Sequence, residues 1–161
     1  MTEGVRLVPI TPLHAPVLAA LHETGFDRPW PEEAFVQLLS DEVRLGVLAM
    51  ERDTPSGFVM LQRAADEAEI LTLVVAPPRR RAGIGKALLE WAIEWSNRSG
   101  LSRLILDVNE QNTAARSLYG SLGFAEIGQR SGYYPRGQGV ETALVLALDF
   151  PSSVVQREPT R

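Results

Sequence analysis

The sequence predicts an α/β fold, a single mixed β-sheet flanked by helices. Three features of the chain lead to it. Short apolar or alternating runs recur from end to end as strands, four stretches space their apolar residues as helix faces, and turns rich in Gly, Pro and Asp separate them. In order they read β-α-α-β-β-β-α-β-α-β-β, one sheet with mixed strand directions. A chain of 161 residues suits one domain able to bury about 70% of its unfolded surface. No repeat or linker is visible, so residues 1–150 are expected to form that domain.

Val5 to Ile10 reads as the first strand. Pro12 then opens a helix with apolar positions Leu13, Val17, Leu18 and Leu21, which stops near Gly25. Pro29-Trp30-Pro31 is a turn, and Pro31 suits the first turn of a second helix. There Glu32 and Glu33 complement the dipole, while Phe35, Leu38 and Leu39 form the buried stripe. A hairpin follows, Val43 to Met50 and Gly57 to Arg63, around an Asp53 to Gly57 turn. Ile70 to Ala76 is almost wholly apolar, the pattern of a strand covered on both faces, and Pro77-Pro78 ends it.

From Gly83 the residues Ile84, Leu88, Trp91, Ala92 and Trp95 make one helical stripe reaching to near Gly100, which places the tryptophan pair in the core. Leu104 to Val108 is the next strand, apolar except for Asp107. Asn112 to Leu122 is a helix with Ala115, Leu118, Tyr119 and Leu122 on one side and Gly123 as its C-cap. Phe124 to Ile127 and Val140 to Leu148 are the last strands, joined by the stretch Gly128 to Gly139. The unbroken apolar run Ala143 to Leu148 marks an inner strand. Pro151 to Arg161 is polar and is expected to be a disordered tail.

Composition removes several classes of function. There is no cysteine, which excludes disulfides and thiolate chemistry, and two histidines, His14 and His22, are too few for a metal cluster. No metal is expected. The chain has no N-terminal signal-like apolar segment and no apolar run near the length of a membrane span, so a cytoplasmic protein without a membrane partner is expected. A net charge of −4 argues against direct nucleic-acid binding. The one basic cluster, Arg79 to Arg81, reverses the local charge and points to a specific anionic ligand.

That cluster opens the segment Arg79-Arg80-Arg81-Ala82-Gly83-Ile84-Gly85-Lys86, between a strand and a helix. Two glycines spaced G-x-G permit a tight turn and a close backbone approach, and the new helix offers unsatisfied N–H donors at its positive end. The segment is not a phosphate loop of the nucleotide-hydrolysing kind, which needs Gly where Arg80 stands and Ser or Thr where Ala87 stands. Leu88 likewise occupies the third small position of a dinucleotide fingerprint. What remains is Arg-x-x-Gly-x-Gly, from Arg80 to Gly85.

Two blocks together, Leu73-Val74-Val75 with Arg80 to Gly85 and then Asn112 to Phe124, resemble the two main motifs of the GCN5-related N-acetyltransferases in their usual order. With Pro29-Trp30 and Gly132-Tyr133-Tyr134-Pro135 the resemblance narrows to the bacterial ribosomal-protein-alanine N-acetyltransferases. It covers roughly residues 5 to 148. The resemblance implies the acetyltransferase fold and acetyl-CoA as co-substrate. The backbone of Leu73, Val74 and Val75 would pair with the pantetheine arm as an added strand. Arg80, Arg81, Ala82, Gly83, Ile84, Gly85 and Lys86 would hold the pyrophosphate, and Asn112 would hydrogen-bond the coenzyme, a role compatible with capping a helix.

By the same resemblance Tyr119 is the general acid. A phenol with a reference pKa of about 10 can return a proton to a thiolate whose conjugate acid lies near 8.5. Two carboxylates compete as base. Asp107 stands where the relatives carry a glutamate, one methylene longer, and Glu69 stands at the start of the strand leading to the glycine loop. Glu69 is favoured for removing the proton and Asp107 for holding the acceptor amine. Trp30, Tyr133 and Tyr134 would contact the acceptor, and the acidic residues Asp66, Glu67 and Glu69 favour a basic protein N-terminus, that of a ribosomal protein. A small-molecule amine or a protein lysine is the alternative acceptor, and a catalytically idle coenzyme-binding domain is the rival of another class. The oligomeric state is not legible.

Overall fold

The structure, a computed structural model, describes residues 4–80, 82–136 and 139–151, with the backbone alone at 131–136 and 139–141. Its elements are β1 (Val5–Pro9), α1 (Ala15–Glu23), α2 (Glu32–Leu39), β2 (Arg44–Glu51), β3 (Thr54–Ala64), β4 (Glu67–Val75), α3 (Ile84–Arg98), β5 (Arg103–Asn109), α4 (Thr113–Ser121), β6 (Ala125–Arg136) and β7 (Gly139–Asp149). Single 3-10 turns lie at Pro12–His14 and Pro77–Arg79. The strands are hydrogen-bonded in the order β1-β2-β3-β4-β5-β7-β6. The β4–β5 pair is parallel, whereas β1–β2, β2–β3, β5–β7 and β6–β7 are antiparallel. The mixed sheet and the predicted succession of elements are both found. No helix among the described residues is long and apolar enough to cross a membrane.

The chain forms two compact units, Met1–Ala64 with Ile70–Trp95 and Ala65–Glu69 with Ser96–Arg161. In the first, Leu18 and Leu21 of α1 and Phe35 and Leu39 of α2 pack with Leu48, Phe58, Met60 and Val74 from the strands. Four details depart from the sequence reading. Leu13 lies in the tight Pro12–His14 turn, ahead of the α-helical stripe, and is 91% exposed. The β2–β3 turn is shorter than expected. Arg52 takes a left-handed φ of 60°, and a register shift between Ala49 and Met50 sets Pro55 opposite Met50, a bulged position that tolerates its missing N–H.

The third departure is in β4, which alternates buried and half-buried residues. Ala68, Ile70, Thr72 and Val74 are buried while Leu71, Leu73 and Val75 are not fully covered. The continuous apolar run therefore does not mean burial on both faces. The fourth is in α3, where Ile84, Leu88, Leu89, Ala92 and Ser96 form the buried line. Trp91 and Trp95 flank that line half-buried and stack on each other with centroids 6.3 Å apart.

In the second unit, Leu104, Leu106 and Val108 of β5 are buried. The inner position predicted for the last strand holds, with β7 between β5 and β6. β6 corrects the expected Gly128 to Gly139 loop, because it continues to Arg136. Register shifts between Glu126 and Gly128 and between Arg130 and Tyr134 absorb the residues that break regular pairing. α4 appears as expected, ended by Gly123 at φ 101°. The expected tail, beyond Pro151, lies outside the described residues.

His22 ties the α1–α2 connection to the core. Its ring is 2% exposed, stacks on Phe26 at 4.2 Å and on Trp30 at 4.7 Å, and meets the edge of Phe35 at 5.5 Å. Nδ1 accepts the Trp30 backbone N–H at 3.1 Å, which requires a neutral ring with its proton on Nε2. Burial pushes its pKa down to about 4. The unfolded chain, with a histidine near 6.5, takes up the proton first. This contribution to stability is therefore complete above pH 6.5 and is lost as pH falls toward 4, by on the order of 3 kcal/mol at most. His22→Phe keeps the stacking area and removes the titration. Urea melts at pH 7 and pH 4.5 are expected to show a smaller pH-dependent loss in the variant than in the wild type, and equal losses would show that another group controls the acid limb.

Candidate active site

The end of β4 leads straight into the glycine segment. The Ala76 N–H donates to the Ser56 carbonyl at 2.9 Å, the Pro77–Arg79 turn reverses the chain, and α3 starts at Ile84. Gly83 takes φ 87°, a left-handed conformation that disfavours any side chain. The first α-helical bond of α3 runs from the Ala87 N–H to the Gly83 carbonyl at 3.0 Å. The N–H groups of Ile84, Gly85 and Lys86 therefore face out of the first turn without intrahelical acceptors, at the positive end of the dipole. A Cβ built on Gly85 would meet Val75 Cγ2 at 3.5 Å, an ordinary contact. The fold itself has room for alanine there.

The arginines of the cluster divide by partner. Arg79 forms a two-pronged ion pair with Glu51, Nε to Oε1 and Nη2 to Oε2, both at 2.7 Å. That pairing holds the Glu51 carboxyl below the usual range. Arg80 donates from Nε to the Val75 carbonyl at 3.0 Å and from Nη2 to the Thr24 carbonyl at 3.4 Å, so it pins the segment to the end of β4 and to the end of α1. Lys86 is exposed on the first turn of α3. Arg81 lies outside the described residues.

Among the described residues, the parallel register of β4 with β5 runs through Glu67↔Arg103, Ala68↔Leu104 and Glu69↔Ile105 and stops there. β4 continues to Val75, so the backbone of Leu73, Val74 and Val75 lies beyond the ladder. An unpaired strand edge of this kind accepts an extended ligand through main-chain hydrogen bonds.

Glu69 is the last residue of that ladder. Its partner Ile105 is two residues before Asp107, and residues two apart on a strand share a face, so both carboxylates are on one side of the β4–β5 pair. The Asp107 side chain is 13% exposed, and its Oδ2 accepts from Arg130 Nη1 at 3.1 Å. Burial raises the pKa of Glu69, the Asp107 charge raises it further, and Arg130 offsets part of the rise. Sequence reasoning missed Arg130 because its segment read as a loop. Recognising Arg130 as a strand residue next to an inner strand that faces Asp107 would have found it. Asp66, one of the expected acidic contacts, is engaged by the Ser102 hydroxyl at 3.0 Å.

Asn112 caps α4, its Oδ1 accepting the Ala115 N–H at 3.1 Å, which leaves the two Nδ2 protons for another acceptor. Tyr119, two turns further along α4, is half-buried, with its ring edge-on to Phe124 at 5.8 Å. Trp30 borders a groove of about 550 Å³ lined also by Ala34, Leu38, Arg44, Gln62 and Leu71. The side chains of Tyr133 and Tyr134 lie outside the described residues. The structure thus brings Glu69, Asp107 and Arg130 together, and separately brings Gly85 and Arg80 against Val75.

Residues 15–124 match the acetyltransferase (GNAT) family. By sequence, the chain is 36% identical over 120 residues to the [ribosomal protein bS18]-alanine N-acetyltransferase of Escherichia coli (strain K12), covering 74% of this chain and 80% of that one. The corresponding protein of Salmonella typhimurium is 37% identical with the same coverage. By structure, the ribosomal-protein-S18-alanine N-acetyltransferase from Escherichia coli is similar with a TM-score of 0.85 and 31% identity, covering 91% of this chain and 94% of that one. Arabidopsis thaliana NAA60 in complex with acetyl-CoA has a TM-score of 0.78 at 20% identity, covering 90% and 98%, and shares the fold.

The two glycines can be separated by experiment. Gly85→Ala is expected to keep or slightly raise the melting temperature, because alanine is the better helix former by up to about 1 kcal/mol and its Cβ fits against Val75. Its affinity for coenzyme A, followed by calorimetry, is expected to fall as the methyl group crowds the phosphate approach. Gly83→Ala is expected to lose about 1–2 kcal/mol of stability through the left-handed backbone alone. Undiminished coenzyme affinity in a folded Gly85→Ala protein would place the pyrophosphate elsewhere.

Proposed function

The chain belongs to the acetyltransferase (GNAT) family, and from that membership we propose that it transfers an acetyl group from acetyl-CoA to the N-terminal alanine of a ribosomal protein in the cytoplasm. The acceptor is assigned from the two 36–37% identical relatives, whose names specify that alanine. The observation that carries the chemistry is the half-buried Glu69 beside Asp107. Burial and a like charge make Glu69 a stronger base than a solvated carboxylate, which suits it to take a proton from a weakly basic ammonium.

In this reading the first-turn amides of Ile84, Gly85 and Lys86 and the charges of Arg80, Arg81 and Lys86 hold the pyrophosphate. Ala82 and Gly83 give the turn its shape. The Leu73 to Val75 backbone holds the pantetheine arm, and Asn112 Nδ2 donates to it. Trp30, Tyr133 and Tyr134 receive the acceptor peptide. The acceptor nitrogen, once its ammonium proton has passed to Glu69, attacks the thioester carbonyl carbon directly. The new C–N bond forms as the C–S bond breaks, the Tyr119 hydroxyl supplies the proton that the departing thiolate takes up, and the second proton lost by the acylated nitrogen passes through solvent to restore the Tyr119 phenol. No covalent enzyme intermediate is needed.

Thiol release from acetyl-CoA in the presence of alanine-initial peptides, N-terminally blocked lysine peptides or polyamines tests the acceptor. Turnover is expected with the first and not with the others. Preference for the lysine peptides or polyamines would overturn the assignment, and no turnover with any would favour a coenzyme-binding domain without catalysis. Tyr119→Phe is expected to bind coenzyme A normally and to lose about a hundredfold in kcat, the low end of what a general acid contributes. Wild-type turnover in this variant would remove Tyr119 from the reaction.

A further inference from the structure

Building on Glu69 as the base, we propose that Arg130 is a positioning residue for the reaction: it fixes the Asp107 carboxylate beside Glu69 and so sets the lower pH limit of catalysis. The sheet register makes the contact. Asp107 lies opposite Val145 of β7, and Arg130 of β6 lies opposite Ala143, itself opposite Asn109 of β5. Arg130 is therefore two strands away from Asp107, a distance of about 9–10 Å across β7 at the usual strand spacing. Its side chain crosses that strand, and Nη1 reaches Asp107 Oδ2 at 3.1 Å.

Among the described residues, the charged groups acting on Glu69 are Asp107, from β5, and Arg130, from β6. They act in opposite senses. Asp107 favours the protonated form of Glu69 and Arg130 favours the ionised form. A protonated Glu69 takes no proton from the acceptor. With Arg130 in place, Glu69 stays ionised to a lower pH than it would beside Asp107 alone. Arg130 thus keeps the pair usable, while Asp107 keeps Glu69 from becoming too weak a base. The pH limit therefore moves with the charge of either neighbour of Glu69.

The pH dependence of kcat/KM for the full chain with one alanine-initial peptide tests this. The titration of the peptide amine is common to all variants, so the informative quantity is the pH below which activity falls more steeply than amine protonation requires. Glu69→Gln is expected to abolish that steepening. Arg130→Gln is expected to move it to higher pH and Asp107→Asn to lower pH, each by about half a unit or more. Arg130→Lys, which keeps the charge, is expected to move it less than Arg130→Gln. Arg130→Met keeps the aliphatic stem and repeats the test if the glutamine variant does not fold. A residue that merely braced β6 would change melting temperature or kcat without moving the limit in opposite senses in the two partner variants. A limit unmoved in folded Arg130→Gln or Arg130→Met, or moved in the same sense as in Asp107→Asn, overturns the role of Arg130 and leaves Glu69 as the base. Steepening that persists in Glu69→Gln overturns the base assignment itself.

Discussion

The parallel ladder between β4 and β5 stops at Glu69↔Ile105 among the described residues, and the proposed chemistry depends on that stop. A strand edge released from pairing carries N–H and C=O groups that must find other partners, so it is a place where an extended ligand gains main-chain bonds at once. One end of the released segment, Val75, runs into the Pro77–Arg79 turn and the first turn of α3. The other end is Glu69, set on the same face as Asp107. Each feature is thus set by the backbone of its own compact unit rather than by loop placement.

Cations are assigned to different tasks by their partners. Arg79 is consumed by Glu51, and Arg80 spends two N–H groups on the Val75 and Thr24 carbonyls. Both stiffen the entry to α3, whatever charge they also lend to an anion. Arg130 instead faces a carboxylate that already has a carboxylate neighbour. Two half-buried negative charges on adjacent strands repel each other, and each is costly to remove from water. One guanidinium, reaching across an intervening strand, lets both persist.

The sequence made the order of elements legible because helix and strand periodicities are local, and the whole succession from β1 to β7 follows from them. Asp107 stood out as a charge inside an apolar strand, and the Gly83-Ile84-Gly85 turn stood out by its glycines. What escaped was tertiary. The apolar run of β4 looked covered on both faces, yet Leu71, Leu73 and Val75 are only half-buried, since hydrophobicity records what a residue tolerates and not what lies over it. Trp91 and Trp95 kept helical spacing with Ile84 but flank the buried line. β6 was hidden by bulges that break its alternation, and Arg130 was hidden with it. His22 was an isolated histidine in the chain, because its partners Phe26, Trp30 and Phe35 converge only when α2 folds back on α1.

The strength of the base bears on the kind of amine that the site can use. An α-amine has a pKa of about 7.7–8.0, and a lysine side chain lies near 10.4. Moving a proton to the same carboxylate is therefore harder from lysine by about 2.4 units, or roughly 3 kcal/mol. Glu69 is raised by burial and by Asp107, which narrows its gap to an α-ammonium, while Arg130 limits the rise. A carboxylate raised further would close more of the gap, but it would also be protonated over more of the working pH range. With Glu69 as the proposed base, the Glu69, Asp107 and Arg130 arrangement sits between those limits, and the advantage of a chain-terminal amine over a lysine comes from the acceptors' own pKa values.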